Sequence, residues 1–125
     1  KFHNAKETNA PSVSLWGSGS ARRGFLHVDD LARACVFLMN TYDSSDIINI
    51  GTGIDIPIKD LAELVKTTVG YAGTIVWDHS KPDGTPRKQL DVQKLHAMGW
   101  SHTIELENGI RDTYEWYTQS LGSKA

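Results

Sequence analysis

Residues 57–78, PIKDLAELVKTTVGYAGTIVWD, decide the fold class. Proline favours the first turn of a helix and glycine favours its end, so Pro57 and Gly70 predict a helix over residues 58–69. The β-branched and aromatic residues at 74–78 then predict a strand. A helix followed closely by a strand is typical of a layered α/β fold.

The pattern continues on both sides of this stretch. Strands are predicted at 13–16, 24–28 and 47–50, and helices at 31–40, 92–98 and 106–121. Asp29 and Asp30 stand where the N-cap of the helix at 31–40 belongs. That helix is apolar on more than one face, so we expect it to be covered from two sides. Cys35 lies inside it and is predicted to be a buried, inert thiol.

Composition excludes several classes of protein. The chain has 125 residues, 39% of them hydrophobic and 22% charged, which fits one globular domain. A net charge of -2 gives no overall attraction to nucleic acid or to an anionic membrane. No apolar run approaches the roughly 20 residues that span a bilayer. The single cysteine excludes an internal disulfide framework and fits a reducing cytoplasm.

The chain opens at Lys1 without an initiator methionine, a signal peptide or a capping pattern. We therefore expect it to be a piece of a longer protein. Residues 1–121 are predicted to form one region, and residues 122–125 a disordered tail.

Residues 81–88, KPDGTPRK, have the composition of an anion-binding loop and are called the clamp loop here. Pro82 and Pro86 restrict the backbone, and Gly84 can adopt the positive φ of a tight reversal. Lysine and arginine side chains suit phosphate oxygens, and a loop shaped in advance loses less entropy on binding. The alternative is a solvated hairpin tip whose charges face water.

Two kinds of site are missing from the sequence. Residues 17–19 and 51–53 each contain two glycines, but the third glycine of a dinucleotide-binding fingerprint is absent. No cysteine or histidine cluster has the spacing of metal ligands.

Four segments together resemble the C-terminal region of the GDP-L-fucose synthase family, and the likeness extends from Lys1 to about Tyr117. They are WGSG at 16–19, RRGFLHVDDLA at 22–32, INIGTG at 48–53 and the clamp loop. The two middle segments are common to many extended short-chain dehydrogenase/reductases, whereas residues 69–78 followed by residues 80–88 are more specific. The family usually has an acidic residue where this chain has Gly24.

The resemblance implies an α/β fold, namely the C-terminal substrate-binding region of an extended short-chain dehydrogenase/reductase without its N-terminal Rossmann domain. It also implies a cytoplasmic, NADP(H)-dependent enzyme, here expected to be a homodimer, that makes GDP-L-fucose from GDP-4-keto-6-deoxy-D-mannose by 3,5-epimerisation and 4-keto reduction. The catalytic residues and the cofactor site would precede Lys1. The chain alone is therefore expected to have no catalytic residue, to bind no NADP(H) and to be inactive.

By resemblance, five residues match positions that bind the GDP-sugar: Lys1, Trp16, Arg23, Asp83 and Lys88. Arg23 and Lys88 are suited to the diphosphate. Trp16 can present a flat apolar surface to a base or sugar, or can instead belong to the core. Asp83 can accept hydrogen bonds from ribose or guanine, or can only cap its turn.

Three further basic residues lie close to these positions in the sequence. Arg22 is expected to be solvated, and Arg87 either steers the ligand or pairs with a surface carboxylate. His27 is interpreted as a packed core histidine. Two functional alternatives remain open: another nucleotide-sugar epimerase, dehydratase or reductase, or a binding module without catalytic activity.

Overall fold

The computed structural model describes residues 1–122. It contains five helices and five strands in this described part. In chain order they are α1 Phe2–Glu7, β1 Ser12–Trp16, β2 Arg22–Arg23, α2 Val28–Thr41, β3 Ile56–Pro57, α3 Ile58–Val69, β4 Thr74–Asp78, β5 Arg87–Lys88, α4 Gln93–Ala97 and α5 Leu106–Gly122.

The strands form two small sheets. Strands β1 and β4 pair in parallel, with Ser12 opposite Thr74 and Trp16 opposite Asp78. The second sheet has the order β3-β2-β5, in which β2 is antiparallel to β3 and parallel to β5. The parallel pairs and the intervening helices confirm the predicted α/β class.

Two apolar clusters form the core. One lies between α1, α3 and the β1–β4 sheet and includes Phe2, Val13, Val69 and Tyr71. The other gathers Ala34, Leu95 and Trp100, with Leu26, Phe37, Leu38, Ile48 and Ile50 packed against them. Helix α1, which the sequence did not predict, contributes Phe2 and Ala5 to the first cluster.

Helix α3 confirms the prediction made from the stretch at 57–78. It runs over Ile58–Val69, with Pro57 as its N-cap and Gly70 as its left-handed C-cap at φ 72°. Strand β4 covers Thr74–Asp78, also as predicted. Helix α4 ends just before the glycine predicted to stop it, at Ala97, with Gly99 at φ 95°.

Two predicted strands are wrong. The strand expected at 24–28 is replaced by the two residues of β2, and Val28 already begins α2. Residues 47–50 form no strand within the described part of the chain, because no other strand lies beside them. Ile48 and Ile50 nevertheless pack on the second cluster, which explains their apolar character.

Helix α2 corrects two further predictions. Its N-cap is His27, whose Nδ1 accepts a hydrogen bond from the Asp29 N–H at 3.1 Å, so neither aspartate is the cap. Cys35 is exposed, not buried. It shares an exposed apolar face with Val28, Leu31, Val36 and Met39, because only the opposite side of α2 faces the second cluster.

Helix α5 includes Gly122, one residue into the predicted tail. Residues 123–125, the rest of that tail, lie outside the described residues. Among residues 1–122, every helix is too short or too polar to cross a bilayer.

Candidate functional site

The second sheet brings four cationic residues together in two pairs. In the parallel pairing of β2 with β5, Arg22 lies opposite Arg87, and Arg23 lies opposite Lys88. Successive side chains of a strand point to opposite faces. The register therefore places Arg22 with Arg87 on one face of the sheet, and Arg23 with Lys88 on the other.

The first of these pairs is held by one buried carboxylate. Asp55 Oδ1 accepts a hydrogen bond from Arg22 Nε at 3.0 Å, and Oδ2 accepts one from Arg87 Nε at 2.5 Å. The Asp55 side chain is only 4% exposed. Burial acts to raise the pKa of Asp55, but the bonds and charges of Arg87 and Arg22 outweigh it and lower the pKa below its usual 3.8. Arg22 is therefore paired and not merely solvated, and Arg87 pairs with a buried carboxylate.

The second pair faces a different environment. The Lys88 side chain is exposed and has no hydrogen-bond or ion-pair partner among residues 1–122. Arg23 donates from Nη1 to its neighbour's carbonyl, Arg22 O, at 2.6 Å and from Nη2 to Thr85 O at 2.8 Å. These bonds fix the guanidinium beside the clamp loop and leave its remaining donors available to a ligand.

Two clefts of about 120 Å³ each flank Phe25 beside these cations. Arg23 lines one cleft and Lys88 lines the other, while Thr52 and Ile54 line both. A separate groove of about 450 Å³ lies between α3 and α5. Its walls are mainly apolar, and it contains none of the five predicted site residues.

The clamp loop has the shape that its sequence predicts. Gly84 adopts φ 74°, the left-handed conformation expected at the reversal between the two prolines. The Arg22 N–H donates to Pro86 O at 2.8 Å and attaches the end of the loop to β2.

Asp83 joins the clamp loop to the end of β1. Its Oδ1 accepts the Ser18 N–H at 2.6 Å, and its Oδ2 accepts the Ser18 hydroxyl at 2.8 Å. These two bonds, the backbone one first, lower the pKa of Asp83 below its usual 3.8. A Cβ on Gly17 would overlap the same carboxylate, so a glycine there leaves space for this contact.

Trp16 and Lys1 lie along β1. Trp16 ends the strand and is 70% exposed, so it is not a core aromatic. Lys81 Nζ lies 5.7 Å from the centre of its ring, at cation–π distance. Lys1 Nζ donates to Ser14 O at 2.8 Å, two residues before Trp16.

The site residues thus occupy one chain of contacts. Trp16 leads into the 17–20 turn, and Asp83 connects that turn to the clamp loop. Arg23 bonds Thr85 of the same loop and lies opposite Lys88 at its end. Sequence reasoning did not identify Ser18 or Asp55, both of which act across long sequence separations. His27, interpreted from the sequence as a core histidine, is partly buried and caps α2 instead. Within residues 1–122, no group of His, Cys, Asp or Glu is arranged to hold a metal ion.

Comparison with known proteins supplies the context for this site. Residues 1–51 match the model of the NAD dependent epimerase/dehydratase family. A putative GDP-L-fucose synthase 2 of Arabidopsis thaliana is 54% identical over 124 residues, which are 99% of this chain and 38% of that protein. The GDP-L-fucose synthase of Escherichia coli K12 is 48% identical over 129 residues, covering 96% of this chain and 40% of that protein. The resemblance to GDP-L-fucose synthases is confirmed.

Solved structures agree with the GDP-L-fucose synthase relationship. A GDP-L-fucose synthetase from Naegleria fowleri matches 98% of this chain with a TM-score of 0.91 at 25% identity, over 38% of its own length. A GDP-mannoheptose C4 reductase from Campylobacter jejuni, solved with NADP bound, matches 94% of this chain with a TM-score of 0.81 at 42% identity, over 42% of its own length. The chain spans about two fifths of the length of these relatives.

Proposed function

We propose that this chain is the GDP-sugar-binding region of a GDP-L-fucose synthase, an enzyme that converts GDP-4-keto-6-deoxy-D-mannose to GDP-L-fucose. The observation that carries the proposal is the pairing of Arg23 with Lys88 across β2 and β5. The other pair in this register, Arg22 with Arg87, is already bonded to Asp55. Two cations on one face therefore remain for a diphosphate.

Each predicted site residue has a role in binding the GDP-sugar. Arg23 and Lys88 neutralise the diphosphate, and the exposed ring of Trp16 offers a flat surface to the base or a sugar. Lys1 contributes a cation near β1. An ionised carboxylate has about four acceptor positions. Asp83 can therefore accept a ribose or guanine donor while it keeps its two bonds to Ser18.

Catalysis is assigned to the rest of the enzyme. Epimerisation needs an acid and a base on opposite faces of a carbon next to a carbonyl, and the reduction needs a hydride from NADPH. The described residues do not fit that dinucleotide. Gly17 and Gly19 lead into a strand, and Gly51 and Gly53 lead to β3, so neither pair opens a helix that could hold a pyrophosphate. We propose that another part of the protein binds NADP(H), and that the whole enzyme is a cytoplasmic homodimer.

Calorimetry on the 125-residue chain tests the proposal. The chain is expected to bind GDP more tightly than UDP and not to bind NADPH. Lys88→Ala should weaken GDP binding by about 1 to 3 kcal/mol, the usual contribution of a charge-assisted hydrogen bond. In a protein that also contains the catalytic part, the same change should raise the KM for the GDP-sugar.

Arg111→Ala is the matched control, because Arg111 is an exposed cation on α5, where it pairs with Glu107. It should leave GDP binding unchanged. Equal affinity of the wild-type and Lys88→Ala chains for GDP would remove Lys88 from the site. A preference for UDP would favour an enzyme of another nucleotide-sugar class, and stoichiometric NADPH binding would overturn the assignment of the cofactor site.

A further inference from the structure

We infer that Asp55 is a positioning residue for the pair Arg23 and Lys88, an inference that rests on the proposed function. Asp55 is not among the residues expected to touch the ligand. It acts by holding Arg22 and Arg87 together, and through them it holds Arg23 beside Lys88.

The contacts of Asp55 join all three strands of the second sheet. The residue immediately precedes β3, and its side chain bonds Arg22 of β2 and Arg87 of β5. Its carbonyl oxygen accepts a further bond from Arg22 Nη2 at 3.0 Å. Arg87 Nη2 in turn donates to Gln89 Oε1 at 2.6 Å, and Gln89 Nε2 donates to Gly53 O at 2.5 Å. The carboxylate is therefore the centre of a network that fixes the segment after the clamp loop.

The sheet needs this support because its strands are very short. Strands β2 and β5 have two residues each, and such a pair has little stability of its own. Two pairs of residues lie opposite each other in this register, Arg22 with Arg87 and Arg23 with Lys88. If the first pair separates, the second pair loses its alignment. Binding groups must be held within about half an ångström of the productive geometry to keep their full effect.

A simpler role for Asp55 predicts the opposite result. If the carboxylate only balanced the charge of Arg22 and Arg87, neutralising it would leave more positive charge near the site. Additional positive charge attracts a diphosphate more strongly. Loss of positioning weakens GDP binding, whereas loss of charge balance strengthens it. The sign of the change separates the two roles.

The decisive variant is Asp55→Asn, with Asp60→Asn as its matched control. Asp60 is an exposed carboxylate in the first turn of α3, so its substitution makes the same change of charge away from the network. In the wild-type chain each arginine bonds a different oxygen of Asp55. An asparagine at position 55 has only one acceptor oxygen, so it cannot reproduce both bonds in this geometry. GDP binding is expected to weaken by about tenfold in Asp55→Asn and to stay constant in Asp60→Asn.

Arg87→Lys is a second variant, chosen in case Asp55→Asn does not fold. It keeps the charge but loses the guanidinium geometry that bonds both Asp55 and Gln89. Positioning predicts weaker GDP binding, and charge balance alone predicts no change. Amide hydrogen exchange at Arg22, whose N–H bonds Pro86 O, gives a readout that does not depend on the ligand. Exchange at this amide should accelerate in both variants.

The outcomes distinguish this inference from the proposed function. A wild-type chain that does not bind GDP contradicts the proposed function itself. A wild-type chain that binds GDP, together with unchanged or tighter binding in Asp55→Asn or unchanged binding in Arg87→Lys, overturns the positioning role alone. Weaker binding with faster Arg22 exchange supports it.

Discussion

Asp83 connects the clamp loop to the end of β1 through one side chain. Its two oxygens accept the N–H and the hydroxyl of Ser18, at 2.6 and 2.8 Å. Both bonds favour the ionised carboxylate, and the pKa is lowered for that reason. Folding therefore stabilises the charged form of Asp83, and the shape of the site depends on that charge.

The first prediction is that this contact fails only in acid. A carboxyl group with a lowered pKa in the folded state stabilises that state fully above its unfolded pKa, here about 3.8. The contribution is lost as the pH falls through the lower, folded value. The Ser18 amide resonance should therefore stay constant from neutral pH to about pH 5 and shift with a midpoint below 3.8.

Asp83→Asn is the control for this titration, because it removes the ionisable group and should abolish the shift. A midpoint at or above 3.8 in the wild-type chain would show that Ser18 does not stabilise the charged carboxylate.

Local composition predicted one part of the site, and long-range contacts determined the rest. The prolines and glycine of the clamp loop determine its turn, so its shape and the cation Lys88 could be predicted from eight neighbouring residues. Ser18 is 65 residues from Asp83, and Asp55 is 32 residues from Arg87. No local pattern pairs such residues, so the partners of Asp83 and Arg87 emerged only from the folded chain.

Elements with their own start and stop signals were predictable. Helix α3 has Pro57 and Gly70 at its ends, and it begins and ends where they indicate. The apolar residues at 47–50 predicted a strand, but strand formation also requires a neighbour with which to share hydrogen bonds. Helix α2 was predicted with the wrong cap, because the two aspartates concealed the role of His27.

The second prediction concerns how α2 is attached to the rest of the chain. Asp30 is fully buried, pairs with Arg33, and accepts the N–H groups of Thr103 and Ile104 at 3.2 and 2.9 Å. Asp30→Asn should lower the free energy of unfolding by about 1 to 3 kcal/mol, because asparagine keeps only one acceptor oxygen for these buried N–H groups and loses the charge that pairs with Arg33. Urea unfolding followed by circular dichroism measures the change.

Asp29→Asn is the matched control for this helix. Asp29 occupies the same first turn, but its side chain is largely exposed. It should change the stability by at most about 0.5 kcal/mol, as is usual for surface substitutions. Equal effects of the two variants would mean that Asp30 contributes only through the helix dipole.

On the scale of the whole molecule, one helix exposes several large apolar side chains on the same face. The outer face of α2 exposes Val28, Leu31, Val36 and Met39, and Ile47, in the segment that follows the helix, is 90% exposed. Residues 47–50 have no main-chain hydrogen bond within the described part of the chain. Another chain can pack on an exposed apolar helix face and can pair with an extended segment that has no strand partner.

The last prediction is that the chain self-associates through this surface. Sedimentation velocity should show a species larger than a monomer, with a population that rises with concentration. Met39→Glu places a charge on the apolar face of α2, where Met39 is 83% exposed, and should shift the equilibrium to the monomer. Leu121→Glu alters an exposed apolar residue at the end of α5 and should not change the association equilibrium.

A wild-type chain that stays monomeric at high micromolar concentration and binds no hydrophobic dye would contradict the prediction. Association that persists in Met39→Glu would place the contact elsewhere, with the apolar groove between α3 and α5 as the next surface to test.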